Sequence, residues 1–357
     1  MSLPFKYFPS TSAAFATNYR ILNLYIHSGS LKAWAQVGSH FWKKLKGRPT
    51  PTYATVAVTY RCQSKCKHCY SSSTNRALEE ELTTEQIKSV LRQVRDLGAL
   101  TVHFSGGEPL LRNDIYDLIA YAGDLGLLTR VNTNGSLLNE DSAKQLKAVG
   151  LTECGVSLDS ADPAIHNRFR GTANLHEKTV QGIRILREVG VPCRILTVAL
   201  KDGIPEDLEK TIALGRSLGA GFMYIVIPIA TGGWDGDYDQ ILTSRERAQI
   251  REMQDLTFAH LEMPTRNTKC CSYEKDLFYV RANGDVTPCA FVPYVLGNIK
   301  EQSLETIWRK HCQSLNLVCR GDCPMNIPSE RRALREHVDK VAHQLKSMVQ
   351  DRSRAAS

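Results

Sequence analysis

Between about residues 52 and 228 the apolar positions follow one repeating pattern. A short β-rich apolar run leads into a loop, then into a stretch with apolar residues every three or four positions, then to glycine. The runs Tyr53–Thr59, Leu100–Phe104, Leu128–Thr133, Glu153–Leu158, Arg194–Leu200 and Phe222–Ile227 predict six strands. The clearest helix begins at Thr84. Thr83 and Gln86 form a capping-box pair, and Ile87, Val90, Leu91, Val94 and Leu97 recur on one face. Five helices are predicted to end in an apolar residue followed by glycine, at Gly98, Gly126, Gly150, Gly190 and Gly219, because glycine closes a helix in the left-handed conformation. Alternating strands and helices imply an α/β protein with parallel pairing and right-handed crossovers. Periodicity leaves open whether the sheet is doubly wound or a partial barrel. Both place chemistry at the carboxyl ends of the strands.

After Gly232-Gly233 the pattern changes. A polar stretch leads into a predicted helix over about Thr243–Glu262, then Pro264, then short strand and turn signals at Phe278–Ala282 and Asn283-Gly284. A boundary is placed near 262–268. From Ser329 to about Arg352, Leu334, Val338, Val341, Leu345 and Met348 sit at helical spacing in a charged segment, which reads as a surface helix packed by one stripe. The expected organisation is a basic helical leader (1–50), an α/β core (51–262), a small cysteine-bearing domain (263–328) and a terminal helix and tail (329–357).

Length and composition fit one large α/β domain with an appendage, since 42% hydrophobic and 23% charged residues exclude a disordered or collagenous chain. No run approaches a membrane span, and no secretory signal is visible at the start. Charge is uneven. Residues 1–50 hold seven basic side chains and no acidic one, whereas the other 307 hold 38 basic and 37 acidic groups. The eleven cysteines are odd in number and clustered, so metal binding in a reducing, cytoplasmic setting is expected rather than a disulfide framework. Cys154 and Cys193 fall in strands and read as buried, inert thiols.

The first cluster, Cys62-x₃-Cys66-x₂-Cys69, follows strand one directly. Three thiolates on a [4Fe–4S] cube leave one iron open for chemistry. Structural zinc would need a fourth ligand, which His68 could supply only from a crowded place between thiolates. Strand two ends in Ser105-Gly106-Gly107-Glu108-Pro109, where glycines let backbone approach a ligand and a carboxylate complements an ammonium group.

Together these motifs resemble the signature of the radical S-adenosylmethionine (SAM) superfamily. The resemblance implies a partial (β/α)6 TIM-like barrel in which Cys62, Cys66 and Cys69 hold the catalytic cluster. It implies that Gly106, Gly107 and Glu108 hold the methionine amino group of SAM. By the same likeness Asn132, Ser157, Arg168 and Arg170, which lie at or beyond the ends of strands three and four, face the ribose and carboxylate. Each also reads as a cap or a surface residue. The cysteines from 270 to 323 resemble the SPASM and twitch auxiliary-cluster domains, implying a small C-terminal domain with one auxiliary [4Fe–4S] cluster. Its implied ligands are Cys271, Cys289, Cys319 and Cys323, with Cys270 and Cys312 as alternates. The further cysteines of a two-cluster pattern are missing, and a four-thiolate zinc site fits the count as well.

The implied reaction is reductive cleavage of SAM to a 5′-deoxyadenosyl radical, fed by a flavodoxin- or ferredoxin-like donor, then hydrogen abstraction from an unidentified substrate. Peptide or protein side chains, tetrapyrroles and other small or lipid-like molecules all fit. The contrasting class is a non-catalytic, zinc-stabilised binding protein. In the leader, Leu31, Trp34, Gly38, Phe41, Trp42 and Leu45 form an apolar face that ends among Lys43, Lys44, Lys46 and Arg48. It reads either as an interfacial helix on an anionic membrane, making the protein peripheral, or as a helix packed across the open side of the barrel. The leader is too short for the winged-helix module that peptide-modifying relatives often carry. Nucleic acid is not expected, because the basic residues lack interleaved aromatics.

Overall fold

The computed structural model describes residues 25–26, 29–73, 80–255, 257–262, 276–314 and 322–355. Seven parallel strands follow one another in chain order, each bonded to the next: β1 (Tyr53–Thr59), β2 (Thr101–Gly106), β3 (Leu128–Thr133), β4 (Glu153–Ser157), β5 (Cys193–Val198), β6 (Phe222–Val226) and β7 (Ala259–Glu262). Beyond β1, β8 (Leu277–Val280) adds a further parallel strand, with Tyr53 opposite Leu277, and β9 (Asp285–Thr287) and β10 (Gly297–Asn298) continue antiparallel. The resulting sheet ends at β10 on one side and β7 on the other. It is a partial barrel, and its hydrogen bonding links the C-terminal region to the core.

Among the described residues the helices are α1 (Leu31–Leu45), α2 (Thr84–Leu97), α3 (Ile115–Asp124), α4 (Glu140–Ala148), α5 (Pro163–Arg170), α6 (Leu175–Val189), α7 (Glu206–Ser217), α8 (Ser244–Glu252), α9 (Leu304–Ser314) and α10 (Pro328–Ala355). The expected chemistry forms them. Thr83 and Gln86 close the capping box of α2, whose five predicted apolar residues are all buried. All five predicted closing glycines take positive φ, between 71° and 93°. On α10, Leu334, Val338, Val341 and Leu345 are buried as one stripe. The six predicted strands are found within two residues of their expected ends.

Two expectations are corrected. The helix predicted through Glu262 stops at Glu252. The Asp255 carboxylate accepts from the backbone N–H and hydroxyl of Thr257, at 2.8 and 2.6 Å, and closes a turn that feeds the chain into β7. Phe258 and Leu261, three apart, mimic helical spacing, yet they are buried from the turn and from β7. The reading that set the leader's helices across the open side of the barrel also fails for its described helix, residues 1–24 lying outside the described residues. Helix α1 lies at the amino ends of β2 and β3, where Gln36 donates to the carbonyls of Arg95 and Ala99. The boundary expected near 262–268 falls almost wholly outside the described residues.

Leu91, fully buried on α2, gives a direct check. Leu91→Ala is expected to cost about 2–5 kcal/mol in urea unfolding. A loss under about 1 kcal/mol would contradict the packing described.

Candidate active site

The loop after β1 carries Cys62, Cys66 and Cys69, all partly exposed and none in a disulfide. Backbone contacts hold it on both sides. Lys65 N–H donates to the Arg170 carbonyl at 3.2 Å and Lys67 N–H to that of Phe169 at 3.0 Å, while Gly233 N–H donates to the Cys69 carbonyl at 3.1 Å. A Cβ at Gly232 or Gly233 would run into the carbonyl oxygens of Cys69 and Lys67, so only glycine lets the chain after β6 lie this close. His68 packs among aromatic rings. Its ring stacks on Phe169 at 4.5 Å and 10°, beside Trp234 at 5.8 Å, with Nδ1 buried and unbonded. Burial, reinforced by Arg170, holds its pKa down to about 3, so it is neutral. The loop thus offers three thiols and no histidine, the ligand count of a cluster with one open corner rather than of a four-ligand zinc site, and among the described residues no three His, Cys, Asp or Glu side chains already converge as a metal site.

Facing the loop is the turn Gly106-Gly107-Glu108. Gly107 N–H donates to the Thr59 carbonyl and Glu108 N–H to that of Arg61, at 2.7 and 2.8 Å. A Cβ at Gly107 would strike the Arg61 and Tyr60 carbonyls. The Glu108 carboxylate is fully buried. It accepts from Thr133 Oγ1 (2.8 Å), Asn134 N–H (2.9 Å) and Leu110 N–H (3.2 Å), and so ties the ends of β2 and β3 together. Burial raises its pKa, against those three hydrogen bonds.

Asn134 is a site residue the sequence reading passed over in favour of Asn132. Its Nδ2 lies 3.8 Å from Cys62 Sγ and 3.5 Å from Ser64 Oγ, and its carbonyl accepts from Thr179. Asn132 lies two residues lower on the same face, where its Oδ1 accepts from Arg194 at 2.9 Å. The alternation of β3 was the available signal, since the same parity carried one step past the strand end reaches the cysteine loop.

Arg170 is buried, and its fork is already engaged. Nε and Nη2 donate to the two oxygens of Asp159 at 2.6 and 2.9 Å, leaving Nη1 at 3.9 Å from Cys66 Sγ. Burial alone would raise the Asp159 carboxyl, but the Arg170 guanidinium outweighs it and holds the group below the usual carboxylate range. Burial likewise pushes the Cys66 thiol up, and Arg170 opposes it. Arg168, two residues away on α5, stands exposed on another face and is not brought to the site. Ser157 closes β4, partly buried.

In the second cysteine group, Cys289 follows β9 and Cys323 precedes a short 3₁₀ turn; both are buried, as is Cys312 on α9. Cys270, Cys271 and Cys319 lie outside the described residues. Asn326 fastens this region to the loop after β6, donating to the Pro228 carbonyl at 3.1 Å and accepting from Ala230 N–H at 3.0 Å. Cys154 and Cys193 face each other across β4 and β5. Burial pushes their thiols up, that of Cys193 to about 12, as expected for inert core residues.

Known proteins match both halves of this arrangement. The family model of the radical SAM superfamily covers residues 56–215, and an iron–sulfur cluster-binding domain model, SPASM, covers 270–324. An AdoMet-dependent heme synthase of Methanosarcina barkeri is 30% identical over 287 residues, 72% of this chain and 82% of the relative. A PqqA peptide cyclase of Xanthomonas euvesicatoria is 30% identical over 282 residues, covering 73% and 74%. Among solved structures, Streptococcus suis SuiB bound to its precursor peptide SuiA superposes with a TM-score of 0.63 at 20% identity, covering 80% of this chain and 75% of that one.

The buried ion pair yields a pH-dependent prediction. Asp159→Asn strands Arg170 without its counter-charge, an expected cost of about 3–5 kcal/mol in urea unfolding at pH 7. Because the Asp159 pKa is depressed in the folded state, its contribution is present above the unfolded value near 3.9 and is lost as pH falls further. The variant should lack that part of the acid destabilisation. Matching acid profiles for variant and wild type would contradict this account.

Proposed function

The chain belongs to the radical SAM superfamily and is an enzyme bearing the SPASM iron–sulfur domain; from that premise we propose how its own residues carry the reaction. Cys62, Cys66 and Cys69 hold a [4Fe–4S] cluster at the carboxyl end of β1. When bound, this cluster would supply the electron that splits the SAM sulfonium into methionine and a 5′-deoxyadenosyl radical, and the auxiliary cluster would accept the electron given up by the substrate radical as it is oxidised. The observation that carries this reading is the set of three partly exposed thiols set against the Gly106-Gly107-Glu108 turn, with the neighbouring histidine neutral and packed among aromatic rings.

Each neighbouring group has a definable task. Gly106 and Gly107 keep the backbone low enough for the methionine end of SAM to approach. Glu108 fixes that turn to β3, and its buried carboxylate places negative charge behind the turn that complements the ammonium of SAM. Asn134 and Ser157 line the route of the nucleoside. Arg170, anchored by Asp159, sets a fixed positive charge beside Cys66, which favours the thiolate and compensates added negative charge. Phe169, Trp234 and the His68 ring form an aromatic wall that backs the loop on one side. Cys289 and Cys323, with Cys271 and Cys319, form the auxiliary set in the 263–328 segment. The donor is a small low-potential protein of flavodoxin or ferredoxin type, in the cytoplasm. The names of the relatives support a tetrapyrrole or a peptide side chain as the substrate class.

Anaerobically reconstituted Cys66→Ala should form no 5′-deoxyadenosine from SAM under strong reductant. Cys289→Ala should lose iron and sulfide yet keep part of that cleavage. Wild-type protein should carry about eight irons per chain, two cubes' worth. Undiminished cleavage by Cys66→Ala would overturn the ligand assignment.

A further inference from the structure

Helix α1 packs with its faces inverted. Of the seven large apolar side chains exposed among the described residues, six stand on this helix or just before it: Ile26, Leu31, Trp34, Phe41, Trp42 and Leu45. Leu31 and Leu45 are 86% and 82% exposed, and Phe41 and Trp42 are 58% and 62% exposed. The residues buried on α1 are Ala33, Gln36 and His40. An isolated exposed leucine needs no explanation, but a contiguous stripe of this size marks an interaction surface.

The roll of the helix is fixed rather than incidental. Gln36, His40 and Lys43 donate to the carbonyls of Arg95, Ala99, Gly98 and Asp96, each at 2.8 Å, and so satisfy the acceptors left open at the C-terminal end of α2. Tyr25 adds a hydrogen bond to the Leu100 carbonyl. Two helix-closing glycines admit the contact. A Cβ at Gly126 would sit 2.6 Å from the Lys32 carbonyl oxygen, and one at Gly98 2.8 Å from Thr50 Cγ2. Turning the apolar stripe inward would break all of these contacts.

The charge of the leader itself has one sign, since residues 1–50 contain no Asp or Glu. The acids that approach α1 belong to the body: Asp96 and Glu305 lie near Lys43, and Asp124 and Asp276 pair with Lys32 and Lys44 at the seam. Lys46 lies over the Trp42 ring at 4.7 Å, and Arg48 follows it. No helix among the described residues is long and apolar enough to cross a membrane. We propose that α1 is an interfacial anchor that lies in the plane of a bilayer carrying anionic headgroups. Leu31, Trp34, Phe41, Trp42 and Leu45 enter the acyl boundary, and Lys44, Lys46 and Arg48 meet the headgroups. The anchor sits at the amino ends of the strands and the cysteine loop at the carboxyl ends, so docking turns the reaction site away from the lipid and toward substrate arriving from water.

Flotation of the full-length protein with vesicles tests this. Binding is expected to phosphatidylcholine vesicles containing phosphatidylglycerol, and about tenfold less to phosphatidylcholine alone. The variant Phe41→Ser/Trp42→Ser/Leu45→Ser should lose binding about tenfold or more while keeping its urea midpoint, since these side chains are exposed. Lys44→Gln/Lys46→Gln/Arg48→Gln should remove the lipid-charge preference. Failure of the wild type to bind either vesicle, or equal binding by the serine variant, would overturn the proposal. So would light scattering that finds a lipid-free dimer which the serine substitutions convert to monomer, since a second copy would then be the occupant. All of these readouts are independent of SAM cleavage.

Discussion

A loop that keeps three thiols available for metal cannot use those thiols to hold its own shape, so it must be held through its backbone. That constraint organises the carboxyl end of this barrel. On one side Lys65 and Lys67 donate to carbonyls at the end of α5. On the other, Gly232-Gly233 lets the chain after β6 close against Cys69. From in front, Gly107 and Glu108 donate to Thr59 and Arg61, either side of the β1 end. Preorganisation of this kind lets reactive groups stay partly exposed without collapsing onto one another.

Charge is handled in the same manner. Arg170 could neutralise thiolates only if it were itself secured, and Asp159 secures it with a bidentate pair whose carboxylate also accepts from Val198 N–H at 3.0 Å. A buried pair costs desolvation, and this one is compensated because nearly every donor and acceptor in it is used. The two ends of the strands thereby divide the labour. Chemistry gathers at the carboxyl ends, and α1 caps the amino ends with polar side chains that satisfy backbone carbonyls.

Much of this was readable beforehand because it is local. Capping at Thr83, the closing glycines and the apolar stripe on α10 depend on neighbours a few residues away, and they formed as their chemistry requires. What was misread depends on distant partners. The four residues of β7 became a strand because β6 offered an unpaired edge, which overrode helical spacing in Phe258 and Leu261. The pairing of Arg170 with Asp159, eleven residues earlier, was not legible because only folding brings the two together. Which face of α1 is buried could not be read from its spacing, because the open carbonyls of α2, far along the chain, selected Gln36 and His40. The Gly-Gly-Glu turn was legible as a motif, but the role of Asn134 required knowing that the residue just past the end of β3 meets the cysteine loop.

The central claim is that SAM docks directly on an iron left open by Cys62, Cys66 and Cys69. Electron paramagnetic resonance of the singly reduced protein, recorded with and without SAM, tests it most directly in a Cys289→Ala background that simplifies the auxiliary signal. The account predicts a signal from the remaining cluster whose g-values change when SAM is added. Spectra that are identical with and without saturating SAM would contradict it.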